Sequence, residues 1–520
     1  MSQVIILTDT VLNGEVGGVR YIGPYAIATS LRKNNITTTV IDHFTKIRDL
    51  KNYLSNFLTS ETAVLAVSST FLAPFSSIKT SKKNRTDGLR RYYSGELCFE
   101  TGAELKAWTS QIKDLLQEKN PRAKLVLGGV KSQFAIWRKE FYSDFDYICI
   151  GAADISFPHF VKKVINNEAP ETKNILDFKN IIDNSADLSN KNCPVNIWEK
   201  SDAIQVNEAL PIEISRGCVF NCKFCHYDKK ESNRKPAELL FDELVSNYEK
   251  FGTTVYAFCD DCFNDHPKKV EMYCELFKKL PFKIEWTAYA RVDVAVKFPH
   301  TIDMMVDSGA RGLYWGLESF HPIVARNAGK GTPTELVKNF LLEFKNKYRG
   351  QCLSEGSFIV GLPGEDKASN LETLDWILQN DPLDLATFGP LGLMPYVPTL
   401  DKVLFDYADY SKNPEKYGFN EVRFQPHYWS HDLMNSNEAN ELATHMSKTF
   451  RSYFNRGFLK NIWLYPHARS LGLNHLQTME AFWSFDKKAF YENEITARFQ
   501  QQVKKYHHTQ LECFKKYGSA

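Results

Sequence analysis

Apolar segments of strand length, each followed by a stretch with helical period, recur in two long series along this chain. Such alternation restricts the fold to parallel sheets covered by helices. Parallel neighbours cannot be joined by a tight turn, so the chain must travel back along the sheet, and a helix fills that length. The first series predicts strands at 4–7, 38–41, 63–68, 124–127 and 147–150, with helices over 25–33, 50–58 and 104–118. Glycines close these strands: Gly14, Gly17 and Gly18 follow the first, Gly128 and Gly129 the fourth, Gly151 the fifth. Doubly wound sheets bind ligands at the carboxyl ends of their strands, where these loops fall. Residues 76–102, opening SSIKTSKKNRTDG, break the alternation and read as a mobile insertion.

The second series predicts strands at 210–215, 254–259, 283–288, 312–316, 355–360 and 385–391, the first five followed by helical stretches. Six strand-helix units make about three quarters of an eightfold barrel, whose strand ends converge on one mouth. A chain of 520 residues exceeds what one core normally organises. The expected organisation is a doubly wound α/β domain over 1–165, a polar linker over 166–205, a partial (β/α)6 barrel over 206–425 and a helical cap over 426–520. Trp429, Trp463, Tyr465, Phe482 and Trp483 give the cap an aromatic core.

Charge excludes some partners. With 64 basic against 62 acidic residues, the chain has no global field to draw in nucleic acid or an anionic membrane. No segment has the eighteen or so apolar residues of a membrane span, and the run Val4–Leu7 is too short for a signal-peptide core, so a cytoplasmic setting is expected. In that reducing compartment, eleven cysteines favour metal or redox chemistry over a disulfide framework.

Three of them cluster. Ser215-Arg216-Gly217-Cys218-Val219-Phe220-Asn221-Cys222-Lys223-Phe224-Cys225 follows the first barrel strand, a C-x3-C-x2-C run on one short loop. Three thiolates so close in sequence can hold three corners of an iron-sulfur cubane and leave the fourth iron open for a ligand. The competing assignment is structural zinc, with Cys259 and Cys262 of Cys-Asp-Asp-Cys as a second pair. That would make the chain a non-catalytic, metal-stabilised scaffold.

The loop resembles the signature of the radical S-adenosylmethionine (SAM) superfamily, C-x3-C-x-aromatic-C, with Phe224 as the aromatic residue beside the SAM adenine. Ala257–Phe263, Tyr314–Ser319 and Phe358–Glu365 resemble, in order, the family's second-strand motif, its Gly-x-Glu-Ser element and its Gly-Leu-Pro-Gly-Glu element. The resemblance implies that Cys218, Cys222 and Cys225 hold a [4Fe–4S] cluster and carry catalysis. It places Phe224, Asp260, Asp261, Arg291, Glu318, Ser319, Gly361 and Glu365 around SAM. From the residues alone, Glu318 has another use, pairing with Arg291 or Arg311, and the two aspartates could cap a helix. The implied chemistry is reductive cleavage of SAM to methionine and a 5'-deoxyadenosyl radical, fed by a one-electron donor of flavodoxin or ferredoxin type.

The domain ahead of the barrel resembles that of the cobalamin-binding subgroup. Gly23–Ala28, Val40–Asp42, Leu127–Gly129 and Asp146–Gly151 fall at that subgroup's landmarks. Gly151-Ala152-Ala153-Asp154 stands where the subgroup usually has Gly-Glu-Gly-Glu, and Asp42-His43 lacks the Asp-x-His-x-x-Gly spacing of a histidine bound to cobalt. The resemblance implies cobalamin and methyl transfer to an unactivated carbon. With a vestigial cobalamin domain, the same barrel would serve dehydrogenation, cyclisation or rearrangement. No motif identifies the substrate.

Overall fold

The computed structural model describes the chain except for residues 1, 11–17, 69–101, 130–131, 133, 138, 176–177, 189, 191, 227–231, 402–406, 424–427 and 518–520. The expected insertion and the loop carrying Gly14 and Gly17 lie outside the described residues, apart from Gly102, which starts the helix Gly102–Lys119. The chain divides into two compact units, Met1–Val206 with Pro398–Phe405 and Thr496–Ala520, and Asn207–Val397 with Asp406–Ile495.

The first unit is built on β1 (Val4–Leu7), β2 (Thr38–Ile41), β3 (Val64–Ser68), β4 (Lys124–Gly128), β5 (Tyr147–Ile148), β6 (Thr172–Ile175) and β7 (Phe178–Ile182). They form one sheet in the order β2-β1-β3-β4-β5-β7-β6, parallel throughout except for the β6–β7 pair. The core order 2-1-3-4-5 is that of flavodoxin-like doubly wound sheets, whose switch point lies between β1 and β3. All four residues of β1 are buried, as expected of a parallel strand covered on both faces. Strands β6 and β7 fall in the segment expected as a linker. Thr172 and Asn174 are exposed on β6 and only Ile175 is buried, so this edge strand reads as polar loop in sequence. The far end of the helix Lys488–Tyr517 packs here too: Tyr506 Oη accepts the Asp42 N–H at 2.9 Å, and Gln510 Nε2 donates to Val40 O at 2.6 Å.

The second unit carries β8 (Leu210–Ile212), β9 (Ser215–Arg216), β10 (Asn233–Arg234), β11 (Val255–Phe258), β12 (Glu285–Ala290), β13 (Ala310–Glu318), β14 (Leu353–Val360) and β15 (Leu385–Pro390). Six of these form a parallel sheet in the order β8-β11-β12-β13-β14-β15, and β9 pairs antiparallel with β10. Large aromatics fix the helix-covered face: Trp286 stacks on Phe258 at 4.6 Å and meets Phe277, while Trp315 meets Phe340 and Phe344 edge-on. The other face is plugged near the strand starts by Ile462. A Cβ on Gly312 would lie 3.1 Å from Ile462 Cβ, and Glu355 accepts the Ile462 N–H at 2.8 Å.

The C-terminal region is not wholly helical as expected. A small antiparallel sheet, β16 (Phe419–Arg423), β17 (Tyr428–His431) and β18 (Met434–Asn435), precedes its helices. These segments are too short for their period to show in sequence, and their fold is set by Trp429, which is wholly buried. Among the described residues, no helix is long and apolar enough to cross a membrane.

Candidate active site

The three-cysteine loop leaves the sheet at β9 and turns at Gly217, whose φ of +83° suits a residue without a side chain. Acidic side chains from the end of β11 brace it. Asp260 Oδ1 accepts the N–H groups of Ile214 at 2.8 Å and Ser215 at 2.6 Å, and Asp261 Oδ2 accepts that of Gly217 at 3.1 Å. Burial pushes the Asp260 carboxyl up, against the pull of Lys269, whose Nζ donates to Ser215 Oγ at 2.7 Å. The two aspartates therefore hold the loop's backbone rather than capping the following helix, a cap that His266 supplies.

From the other side, Lys223 N–H donates to Ala328 O at 3.0 Å and Lys223 O accepts from Tyr410 N at 3.0 Å. Gly329 lies so close that a Cβ would stand 3.1 Å from Cys222 Cα, and its φ is +97°. Cys222 is buried, Cys218 and Cys225 half-buried. A hydrogen bond with Cys262, opposed by burial, brings the Cys218 thiol down to about 7, with the Phe220 N–H assisting. A thiol held below its ordinary value favours thiolate, the form that binds metal.

Arg291, expected beside SAM, points at the loop. Its Nη1 donates to Cys222 Sγ at 3.0 Å, its Nη2 to Gly329 O at 2.6 Å, and its guanidinium carbon lies 3.9 Å from the centre of the Phe220 ring. It does not pair with Glu318. Arg311 does not either, donating instead to the carbonyls of Val306 and Ala310. Glu318 pairs with Lys330, Oε1 to Nζ 3.1 Å, and Lys330 also donates to Gly316 O at 2.9 Å. Burial works against the Lys330 ammonium, but Glu318 and Cys222 outweigh it and leave its affinity for the proton raised.

Lys330 Nζ lies 5.8 Å from the centre of the Phe224 ring, which brings the aromatic residue of the cysteine loop beside the end of β13. Ser319 Oγ donates to Glu365 Oε1 at 2.5 Å, and burial pushes the Glu365 carboxyl up to about 7 against hydrogen bonds from Ser319 and Asn370. Gly361 has a packing role. A Cβ there would meet Trp429 Cη2 at 2.4 Å, and its carbonyl lies 3.3 Å from His431 Nε2.

Lys330 is the site residue that the sequence did not single out. Lys330 stands between Gly329 and Gly331 on a loop after the fourth-strand motif, a signal that was available. Of the second cysteine pair, Cys262 is buried with its thiol 3.5 Å from Asn264 Oδ1, while Cys259 is solvent-exposed. Among the described residues, the one group of three His, Cys, Asp or Glu side chains with ligand atoms within 4.8 Å of one another is Asp9, Asp42 and His43 in the first unit. Cysteines about 2.3 Å from one shared zinc would have to converge in that way. A cubane spreads its thiolates over separate irons, so the loop fits a cluster better than a single ion. His43 is committed elsewhere, with Nδ1 3.0 Å from Thr10 Oγ1 and 3.6 Å from Asp9, and its ring edge-on to Phe499 and Tyr506.

Residues 212–377 match the radical SAM superfamily. An uncharacterized methyltransferase of Pyrococcus horikoshii is 29% identical over 178 residues, 34% of this chain and 37% of that one. The bacteriochlorophyllide d C-8(2)-methyltransferase of Chlorobaculum tepidum is 23% identical over 217 residues, 40% of this chain and 46% of that one. The chain thus spans less than half the length of the curated relatives it matches. In solved structures, the radical SAM methyltransferase TsrM of Kitasatospora setae, with tryptophan substrate and a SAM analogue bound, superposes with a TM-score of 0.59 at 12% identity, covering 95% of this chain and 100% of that one. The cobalamin-dependent radical SAM enzyme OxsB, with aqua-cobalamin bound, gives 0.55 at 14% identity, covering 99% and 84%. The family match falls on the barrel and its cysteine loop, and the fold likeness takes in the doubly wound unit as well: residues 212–377 match the radical SAM superfamily, and the chain has the fold of the cobalamin-dependent radical SAM enzymes TsrM and OxsB.

Proposed function

We propose that the protein cleaves SAM reductively at a [4Fe–4S] cluster held by Cys218, Cys222 and Cys225, and uses cobalamin to transfer a methyl group to an unactivated carbon. The observation that carries this reading is the cysteine loop itself: three thiols beside the carboxyl end of the first barrel strand, locked from both sides by backbone hydrogen bonds. When bound, these groups would supply one-electron cleavage of SAM to methionine and a 5'-deoxyadenosyl radical, and the carriage of a methyl group.

The chain's own residues bind and orient. Cys218, Cys222 and Cys225 would hold the cluster, which when bound would supply the binding site for the SAM amino and carboxylate groups. Phe224 offers an apolar wall to the adenine, and the Glu318–Lys330 pair sets a fixed carboxylate and ammonium beside it. Ser319 and Glu365 stand at the ends of the fourth and fifth strands, where a ribose hydroxyl finds a hydrogen-bonding partner. Asp260, Asp261 and Arg291 act through the loop, keeping the thiols in place.

In the doubly wound unit, Gly129 and Gly151 follow β4 and β5 with φ of +94° and +85°, a left-handed backbone that glycine adopts freely. These turns stand at the carboxyl ends of the strands, where doubly wound sheets bind cofactors. With His43 buried and engaged, cobalamin here would have no histidine ligand from that position. An external one-electron donor is required, and a flavodoxin or ferredoxin fits the need.

Anaerobic reconstitution with SAM and reductant, followed by detection of 5'-deoxyadenosine, tests the reading. Wild type is expected to form it and Cys222→Ala to lose both cluster and product. Unchanged product in the variant rejects the cluster assignment. A purified protein without a corrinoid visible spectrum after loading with cobalamin rejects the methyl-transfer half.

A further inference from the structure

Beyond holding the loop, Arg291 reaches a ligand sulfur itself. We propose that Arg291 raises the reduction potential of the cluster by donating a hydrogen bond to Cys222 Sγ, a proposal that rests on the reading that this thiol holds iron.

Arg291 is held from several sides. Asn264 grips its backbone on both sides, Oδ1 accepting its N–H at 2.6 Å and Nδ2 donating to its carbonyl at 2.9 Å. Its Nε lies 2.7 Å from Asp293 Oδ2, its Nη2 is taken by Gly329 O, and its flat face rests on Phe220. The remaining edge, Nη1, is aimed at Cys222 Sγ at 3.0 Å. A guanidinium provides such a planar fork and a lysine ammonium does not.

Reduction adds an electron whose charge spreads onto the ligand sulfurs. A charged donor to such a sulfur stabilises the electron-rich state and raises the potential. Arg291 thus makes the cluster easier to reduce by an external donor. It is a positioning residue, acting through the ligand.

The test is an electron-paramagnetic-resonance redox titration of the reconstituted full chain without SAM, after iron and sulfide have been counted. Arg291→Gln is expected to carry a full cluster with a midpoint shifted to more negative potential, and Arg291→Lys, which keeps the charge but not the planar fork, to shift less in the same direction. Wild-type midpoints in both variants, or a shift to more positive potential, overturn the proposal. Should Arg291→Gln assemble no cluster, Arg291→Lys decides alone: a midpoint equal to wild type overturns it. A wild-type chain that takes up no iron rejects the cluster reading and this proposal with it.

Discussion

The Glu318 carboxylate lies 3.1 Å from the Lys330 ammonium, and both side chains are only 8% exposed. Glu318 reaches this position from a backbone φ of +67°, beside a break in register between β13 and β14. A bulky residue held in the left-handed region costs about 1 kcal/mol or more, so the surrounding contacts must over-determine it. Removing one partner leaves the other charged and buried. Lys330→Met is therefore expected to destabilise the chain by about 3–5 kcal/mol in urea unfolding. Lys330→Met with Glu318→Gln should recover most of that loss. A double variant as unstable as Lys330→Met alone would show that the cost lies in packing and not in the unpaired charge.

Gly329 is the closest approach of the neighbouring loop to the cysteines. Gly329→Ala forces a side chain into a φ of +97° with its Cβ 3.1 Å from Cys222 Cα and 3.3 Å from Asn221 O. Both contacts are with backbone, which cannot swing aside. The variant should lose about 2 kcal/mol of stability. Because the strain falls on a ligand's own backbone, iron per chain after reconstitution should fall as well. A variant that is destabilised yet binds iron like wild type would separate this loop from the cluster.

Much of this arrangement was readable in the sequence because it is local. The cysteine loop lies within eleven residues, and the buried parallel strands are continuous apolar runs such as Val4–Leu7. What sequence did not convey is tertiary. Arg291 reaches Cys222 across 69 positions, and no pattern distinguishes a guanidinium aimed at a cysteine sulfur from one aimed at a carboxylate. The Asp260–Asp261 pair was identified as part of the site, but that it binds loop N–H groups depends on strands 45 residues apart. Strand β6 was missed since an edge strand needs only one buried face.

Gly361 shows the same limit from the other direction. It lies in a motif that points to the cofactor, yet its Cα faces Trp429, whose Nε1 donates to Leu391 O at 2.9 Å and so cannot shift freely. Gly361→Ala should cost about 2 kcal/mol or more through overpacking. In a Trp429→Leu background, which removes the ring edge, the same substitution should cost less. The difference, read as a double-mutant cycle from urea midpoints, measures the contact. Equal costs in both backgrounds would mean that the backbone conformation, not the indole, demands glycine.

Glu355 gives the pH dependence a definite sign. Its Oε2 accepts the Ile462 N–H at 2.8 Å and its Oε1 the Thr387 hydroxyl at 2.8 Å, and burial pushes its carboxyl from 4.5 up to about 7. Between those two values the folded chain holds a proton that the unfolded chain has released. Stability contributed by this proton is complete below 4.5 and is lost as pH rises through 7, a change of about 3 kcal/mol. Glu365 titrates in the same window, so Glu355→Gln removes one of two contributions. The variant is expected to lose less stability than wild type between pH 5 and pH 8, measured as urea unfolding free energy. Parallel pH profiles for the two proteins would mean that Glu355 keeps its charge when folded, with the Ile462 and Thr387 hydrogen bonds outweighing its burial.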